Sequence, residues 1–146
     1  MFGRQEQNIV EMRTILFVDD DEIVLRSLER GLLDEPYNQL FANSWKQALE
    51  ILQREEVHVV VTDMRMPEMD GLELLEIIRK MYPHIVGIVF SGYTEMAALQ
   101  KAVNQGEIFR FIPKPWKLEG DFKKVVREAI EHYKLKSERD TVRLQN

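Results

Sequence analysis

Five side chains able to do chemistry stand directly after short apolar runs: Asp19 and Asp20 after TILFV, Asp63 after VHVVVT, Ser91 after VGIVF and Lys114 after FRFIP. In an open α/β sheet, ligands bind in the crevice at the carboxyl ends of the strands. If these runs are parallel strands of one sheet, three carboxylates, a hydroxyl and an ammonium converge on one edge. Carboxylates about 4 Å apart repel by about 4 kcal/mol per pair at an effective dielectric of ~20. Such a cluster must protonate, splay apart or take up a cation. The ligands are all oxygen, and His58, His84 and His132 have no metal-ligand spacing. A hard divalent ion therefore fits best, Mg²⁺ or Mn²⁺ rather than zinc. Lys114 adds a fixed positive charge able to bridge a carboxylate to an incoming phosphoryl group. The set suggests phosphoryl transfer, which is mostly positioning and charge neutralisation, with a carboxylate as nucleophile forming an aspartyl-phosphate. Asp63 is the candidate nucleophile, because the acids after the first strand and Lys114 after the last would flank it. Ser91 would donate a hydrogen bond to a phosphoryl oxygen, and Gly92 leaves room for the group.

The elements that must position these residues are readable. Runs at Thr14–Val18, 57–62, 86–90 and 109–113 are apolar or aromatic and rich in β-branched residues, and the first three resemble strands buried on both faces. Asn38–Ala42 is a weaker run, suited to an edge. Between them lie segments with helical spacing at 22–33, 45–53, 72–81, 96–105 and 121–136. Expected inner residues include Ile23, Leu25, Leu28, Leu32 and Leu33 in the first helix and Leu72, Leu75, Ile78 and Met81 in the third. Ser44 is placed to cap the second helix, Tyr82-Pro83 ends the third and Gly106 stops the fourth. Strand and helix alternate five times, which predicts a doubly wound α/β protein with a parallel sheet covered by helices on both faces.

Composition narrows the class. A chain of 146 residues without cysteine has neither a disulfide framework nor a thiolate zinc site. No apolar run approaches the ~20 residues that span a bilayer, and no signal-peptide pattern opens the chain. The expectation is a soluble, cytoplasmic protein with no membrane partner. The net charge of −5 is unevenly spread, −8 over residues 1–113 and +3 over 114–146. Direct nucleic-acid binding is not expected, because the segment 114–146 that carries the basic run Lys114, Lys117, Lys123, Lys124 and Arg127 also carries six acids, and the run reads as a solvated helix face. Met64, Met66 and Met69 read as loop packing, and Trp116 as packing on its own domain.

The runs ILFVDDDE, VVVTDMRMPEMDG, VFSG and FIPKP, in this order and spacing, resemble the receiver domains of two-component response regulators across residues 13–136. The resemblance implies a flavodoxin-like (βα)5 sandwich with strand order 2-1-3-4-5. It makes Asp63 the phosphoacceptor, Asp20 a direct Mg²⁺ ligand, Asp19 a ligand acting mainly through water, and the backbone carbonyl of Arg65 the last protein ligand. Ser91 and Phe111 match the two switch positions, and Lys114 the lysine that contacts the phosphoryl group. The implied partners are a sensor histidine kinase or phosphotransfer protein, a second copy docking through the fourth helix, fifth strand and fifth helix, and an effector domain beyond the C-terminus. The implied protein is a phosphoacceptor that assists its own phosphorylation and dephosphorylation, rather than an enzyme.

Departures from the pattern carry their own expectations. Asp21 extends the acidic pair to a triplet and is assigned to a helix N-terminus, where negative charge contributes about 0.3–1 kcal/mol. Phe111 lacks the hydroxyl of the tyrosine found in many relatives, so a switch there works by packing alone. Arg65 and Tyr93 lie two residues beyond Asp63 and Ser91, placed to shape water access. Two other readings stand beside this one. Asp19-x-Asp21 imitates the acids of a haloacid-dehalogenase-like Mg²⁺-dependent phosphatase, although Ile23 does not suit that motif. A degenerate receiver serving only for docking is disfavoured by the intact acid set. The expected divisions are an N-terminal arm over 1–12, the receiver over 13–136, and a tail or start of a linker over 137–146.

Overall fold

The computed structural model describes residues 12–114 and 117–145. Most of the N-terminal arm and the position of Trp116 lie outside the described residues. Five parallel strands, β1 (Thr14–Val18), β2 (Asn38–Ala42), β3 (Val59–Asp63), β4 (Val86–Ser91) and β5 (Arg110–Pro113), form one sheet in the order β2-β1-β3-β4-β5. Five helices, α1 (Glu22–Gly31), α2 (Trp45–Arg54), α3 (Gly71–Met81), α4 (Met96–Asn104) and α5 (Lys123–Gln145), cover its two faces. This is the doubly wound (βα)5 order, which reverses beside β1, so the crevice between the ends of β1 and β3 is where such folds bind ligands.

Strand periodicity builds two cores. Leu16, Val18, Val60 and Val89 point to one face and pack against Ala48, Ile51 and Leu52 of α2, Leu74, Leu75 and Ile78 of α3, and Leu99 and Ala102 of α4. Ile15, Phe17, Val59, Val61, Ile88 and Phe90 point to the other, against Leu25 and Leu28 of α1 and Phe122, Val126 and Ala129 around the start of α5. Each such fully buried side chain contributes about 1.5–3 kcal/mol. The two central strands therefore have little freedom to slip, because a one-residue shift would exchange the two faces.

The expected Ser44 cap is in place, and α3 carries a cap that was not anticipated. Ser44 caps α2 by accepting from the Gln47 N–H, and Asp70 and Glu73 form a reciprocal capping box at α3. Gly106 adopts the left-handed backbone (φ 74°) just past α4.

Several expected faces are corrected. Ile23 and Leu33 are each 76% exposed and Met81 is 52% exposed, whereas Leu74 is fully buried. Helix α1 ends at Gly31, which leaves Leu33 beyond its stripe. The last helix is entered through a wide π turn at Leu118–Phe122, starts at Lys123 and continues to Gln145, nine residues past its expected end. Residues 137–140 of this extension are exposed or half-buried, so the helix continues there without a buried stripe. Lys123, read from sequence as part of a solvated face, is 3% exposed and donates to Asp34 at 3.2 Å.

Candidate functional site

Strand ends place the site. β1 delivers Asp19 and Asp20, and β3 ends on Asp63 itself. β4 ends on Ser91, and β5 hands the chain to Lys114, whose N–H bonds the Ser91 carbonyl at 2.7 Å. Parallel register sets Asp63 opposite Phe90 and Ser91 opposite Pro113. Asp63 and Lys114, 51 residues apart, thus share one edge because hydrogen-bonded ladders fix their heights.

One carboxylate oxygen from each of Asp19, Asp20 and Asp63 lies within 4.8 Å of the others. Asp19 and Asp63 are buried, and Asp20 faces solvent. Asp19 Oδ1 accepts from the Asp21 N–H at 2.9 Å, whereas its buried Oδ2 has no hydrogen-bond partner among the described residues. Burial raises the Asp19 pKa to about 6; the Asp21 N–H opposes the shift and the Asp63 charge adds to it. The Asp63 pKa is also raised, by burial first, with the Lys114 ammonium pulling it back. Lys114 Nζ donates to Asp63 Oδ1 at 3.1 Å and lies 5.1 Å from the centre of the Phe90 ring.

An orphaned, buried carboxylate oxygen beside two more carboxylates suits a hard divalent cation, which would satisfy that oxygen and relieve the mutual repulsion. The residues fit Mg²⁺, with Asp19, Asp20 and Asp63 as the available carboxylates.

The loop after Asp63 is held close. The Met64 N–H bonds the Phe90 carbonyl at 3.0 Å, and the Gly71 N–H bonds the Met64 carbonyl at 2.8 Å. A Cβ on Gly71 would lie 2.4 Å from the Asp63 carbonyl oxygen. Only glycine lets α3 begin so near the candidate nucleophile. Met64 is buried and Met66 and Met69 pack on the core, as loop packing requires.

Asp21 is the N-cap of α1 and accepts from the Ile23 N–H at 2.9 Å. Its carboxylate is thus committed to the helix end, which removes the acid that a phosphatase built on Asp19-x-Asp21 would need. Phe111 is half-buried against the core on the α4 side, in register with Val89. The Tyr93 side chain lies outside the described set.

One residue at the site was passed over in the sequence. Glu95, which precedes the expected helix at 96–105, is 8% exposed and accepts from Thr94 Oγ1 at 2.7 Å, from Ser91 Oγ at 2.9 Å and from Arg65 Nε. These donors, Thr94 foremost, hold its pKa down at about 2. The four-residue step from Ser91 to Glu95 was available in the sequence, but the approach of Arg65 from another loop was not.

A parallel α/β sandwich with three acids, a hydroxyl and a lysine at its carboxyl edge defines a phosphoacceptor class of protein. The chain belongs to the response regulator receiver domain family, whose model matches residues 15–127. Members of this family are in general phosphoacceptors of two-component signalling rather than enzymes, and the phosphatase reading is not favoured. Among curated proteins, the hydrogenase transcriptional regulatory protein HoxA of Cupriavidus necator is 38% identical over 118 residues, 81% of this chain and 24% of its own length. The chain spans about a quarter of the length of the HoxA and NtrC proteins among the curated relatives it matches. Among solved structures, the signal receiver domain of an HD domain-containing protein from Pseudomonas fluorescens is 36% identical with a TM-score of 0.77, covering 84% of this chain and 98% of that one. A Rhodopirellula baltica structure described as an adenylate cyclase has a TM-score of 0.88 at 28% identity, covering 93% and 100%.

No helix among the described residues is long and apolar enough to cross a membrane.

Proposed function

We propose that Asp63 accepts a phosphoryl group from a sensor histidine kinase or phosphotransfer protein in a Mg²⁺-dependent reaction, with Mn²⁺ able to substitute. The observation that carries this reading is the convergence on Asp63 of Lys114 at 3.1 Å and of the Asp19 and Asp20 carboxylate oxygens within 4.8 Å. An Asp63 carboxylate oxygen attacks the phosphorus of a phosphohistidine, the P–N bond breaks, and the leaving imidazole takes up a proton. Asp20 and Asp63 would hold the metal directly, Asp19 through water, and Arg65 through its backbone carbonyl. When bound, the cation supplies neutralisation of the carboxylates and of the phosphoryl oxygens. Lys114 pairs with a phosphoryl oxygen, and Ser91 turns its hydroxyl to another. Hydrolysis of the acyl-phosphate by water returns Asp63 to its carboxylate, and the exposed Arg65 side chain at the rim controls that access.

The acyl-phosphate then biases the surface made by α4, β5 and α5 towards docking with a second copy of the chain. Strand β5 is an edge of the sheet, and Leu135 on α5 is 56% exposed, which supports an interface there. Phe111, lacking a hydroxyl, would act in the switch through packing. The receiver covers 13–136 and would serve as the input module of a longer cytoplasmic regulator, with residues 1–12 as an arm and 137–146 leading towards an effector; the quarter-length match to the curated relatives supports that arrangement. Incubation with Mg²⁺ and a small phosphodonor such as acetyl phosphate tests the reading: intact mass should show one added phosphoryl group, absent in Asp63→Asn. Turnover of many phosphodonor molecules that depends on Asp19 but not on Asp63 would overturn it.

A further inference from the structure

We infer that Glu95 is a positioning residue of the phosphoryl site: it holds the Ser91 hydroxyl in the unphosphorylated protein and releases it when a phosphoryl group occupies Asp63. The inference rests on the phosphoacceptor reading and adds a competitor that this reading lacks.

A serine hydroxyl has one proton to donate. Here that proton goes to Glu95 Oε2 at 2.9 Å, a bond buried at the end of β4. Ser91 cannot donate to Glu95 and to a phosphoryl oxygen at once, so the two acceptors compete. Glu95 is a strong competitor, because a carboxylate acceptor makes a charge-assisted bond. The same carboxylate also accepts from Thr94 and from the Arg65 guanidinium. When Ser91 leaves, those two donors remain, so the charge of Glu95 is not stranded and the exchange is reversible.

The position of the latch gives it reach. Glu95 closes the 3₁₀ turn Tyr93–Glu95 and occupies the N-cap position of α4, yet it makes no side-chain cap bond to the helix. Its carboxylate is spent on Ser91, Thr94 and Arg65 instead. Exchange of the Ser91 bond is therefore felt where α4 begins. Arg65 ties the same carboxylate to the loop following Asp63, and its side chain is 73% exposed, so solvent can replace the contact. A ligand that must first free Ser91 binds with an apparent affinity reduced by the fraction of molecules in which Ser91 is free.

Titration with beryllofluoride and Mg²⁺, an acyl-phosphate mimic at Asp63, tests this on the whole chain, read by amide NMR shifts in α4. Glu95→Gln keeps the shape and removes the charge. It should tighten the apparent affinity by about threefold to tenfold. Glu95→Ala, which removes both acceptor oxygens, should shift it at least as far. In a Ser91→Ala background the Glu95→Gln change should fall below about twofold, because no hydroxyl remains to be released. Unchanged or weaker binding by both Glu95 variants overturns the latch, as does an equal effect with and without Ser91. A wild-type chain with no Asp63-dependent response contradicts the phosphoacceptor reading itself, an outcome distinct from a responsive wild type matched by its Glu95 variants.

Discussion

The Lys114 ammonium stands 3.1 Å from a carboxylate oxygen of Asp63, across 51 residues of sequence. The parallel ladder brings the two together, with the Lys114 N–H fastened to the Ser91 carbonyl. A fixed cation here favours an anionic Asp63 and a phosphoryl group, and it opposes a second cation. Lys114 is about one-third exposed, so screening is considerable. At about 5 Å in water-like surroundings, one unit charge acts on a divalent ion by about 1–2 kcal/mol. Lys114→Met should therefore bind Mg²⁺ severalfold more tightly by calorimetry at neutral pH. Unchanged or weaker binding would show that Lys114 does not sense the metal position.

Asp19 gives the site a pH signature. Its pKa rises from 3.8 to about 6 on folding, so between those values the folded chain holds a proton that the unfolded chain has lost. Its contribution to stability is thus largest at low pH and declines as pH rises through about 4 to 6, by at most about 2–3 kcal/mol. Carboxylates with lowered pKa, such as Glu95, have the opposite slope, so the test is a difference between variants. Without divalent ions, Asp19→Asn should be more stable than wild type above about pH 6, and the advantage should vanish below about pH 4. Millimolar Mg²⁺ should close the gap by stabilising wild type selectively. Urea melts across this range would contradict the assignment if the two proteins keep a constant difference.

Gly71 tests how closely α3 must approach the nucleophile. An alanine Cβ there meets the Asp63 carbonyl at 2.4 Å and Met64 Cα at 3.1 Å, so the backbone must shift. Gly71→Ala should cost about 1–3 kcal/mol and slow phosphoryl uptake. Gly92→Ala has open space around its Cβ and should stay within about 0.5 kcal/mol of wild type. Equal stability of the two variants by thermal unfolding would mean that the loop after Asp63 is not tightly held.

Phe111 separates switching from phosphorylation. It is half-buried on the edge strand, so Phe111→Ala should cost about 1–3 kcal/mol, less than deletion of a fully buried ring. The variant should still take up beryllofluoride at Asp63. Sedimentation velocity should show that ligand-dependent dimerisation has been lost. Dimerisation as strong as wild type would contradict a switch working through this ring.

What the sequence made legible was whatever period and punctuation control. The strand–helix alternation and the converging edge followed from short apolar runs, each followed by a polar residue, whereas the strand order came from the family resemblance; the Asp21, Ser44 and Gly106 helix signals sit where local chemistry requires them. Contacts made across the fold were not legible. Lys123 looks solvated in a basic run, but its side chain is buried and reaches Asp34, an exposed acid in the loop after α1. Glu95 looks like an ordinary acid at a helix start until Arg65 arrives from the β3–α3 loop. Leu74 and Met81 exchanged places because helical spacing defines a stripe but not its centre, which the sheet beneath decides.

The most direct test of the central claim is the location of the acyl-phosphate. Protein treated with Mg²⁺ and acetyl phosphate, then reduced with borohydride, should carry homoserine at position 63 alone, and omission of Mg²⁺ should abolish it. Homoserine at Asp19 or Asp20 with Asp63 unmodified would contradict the account.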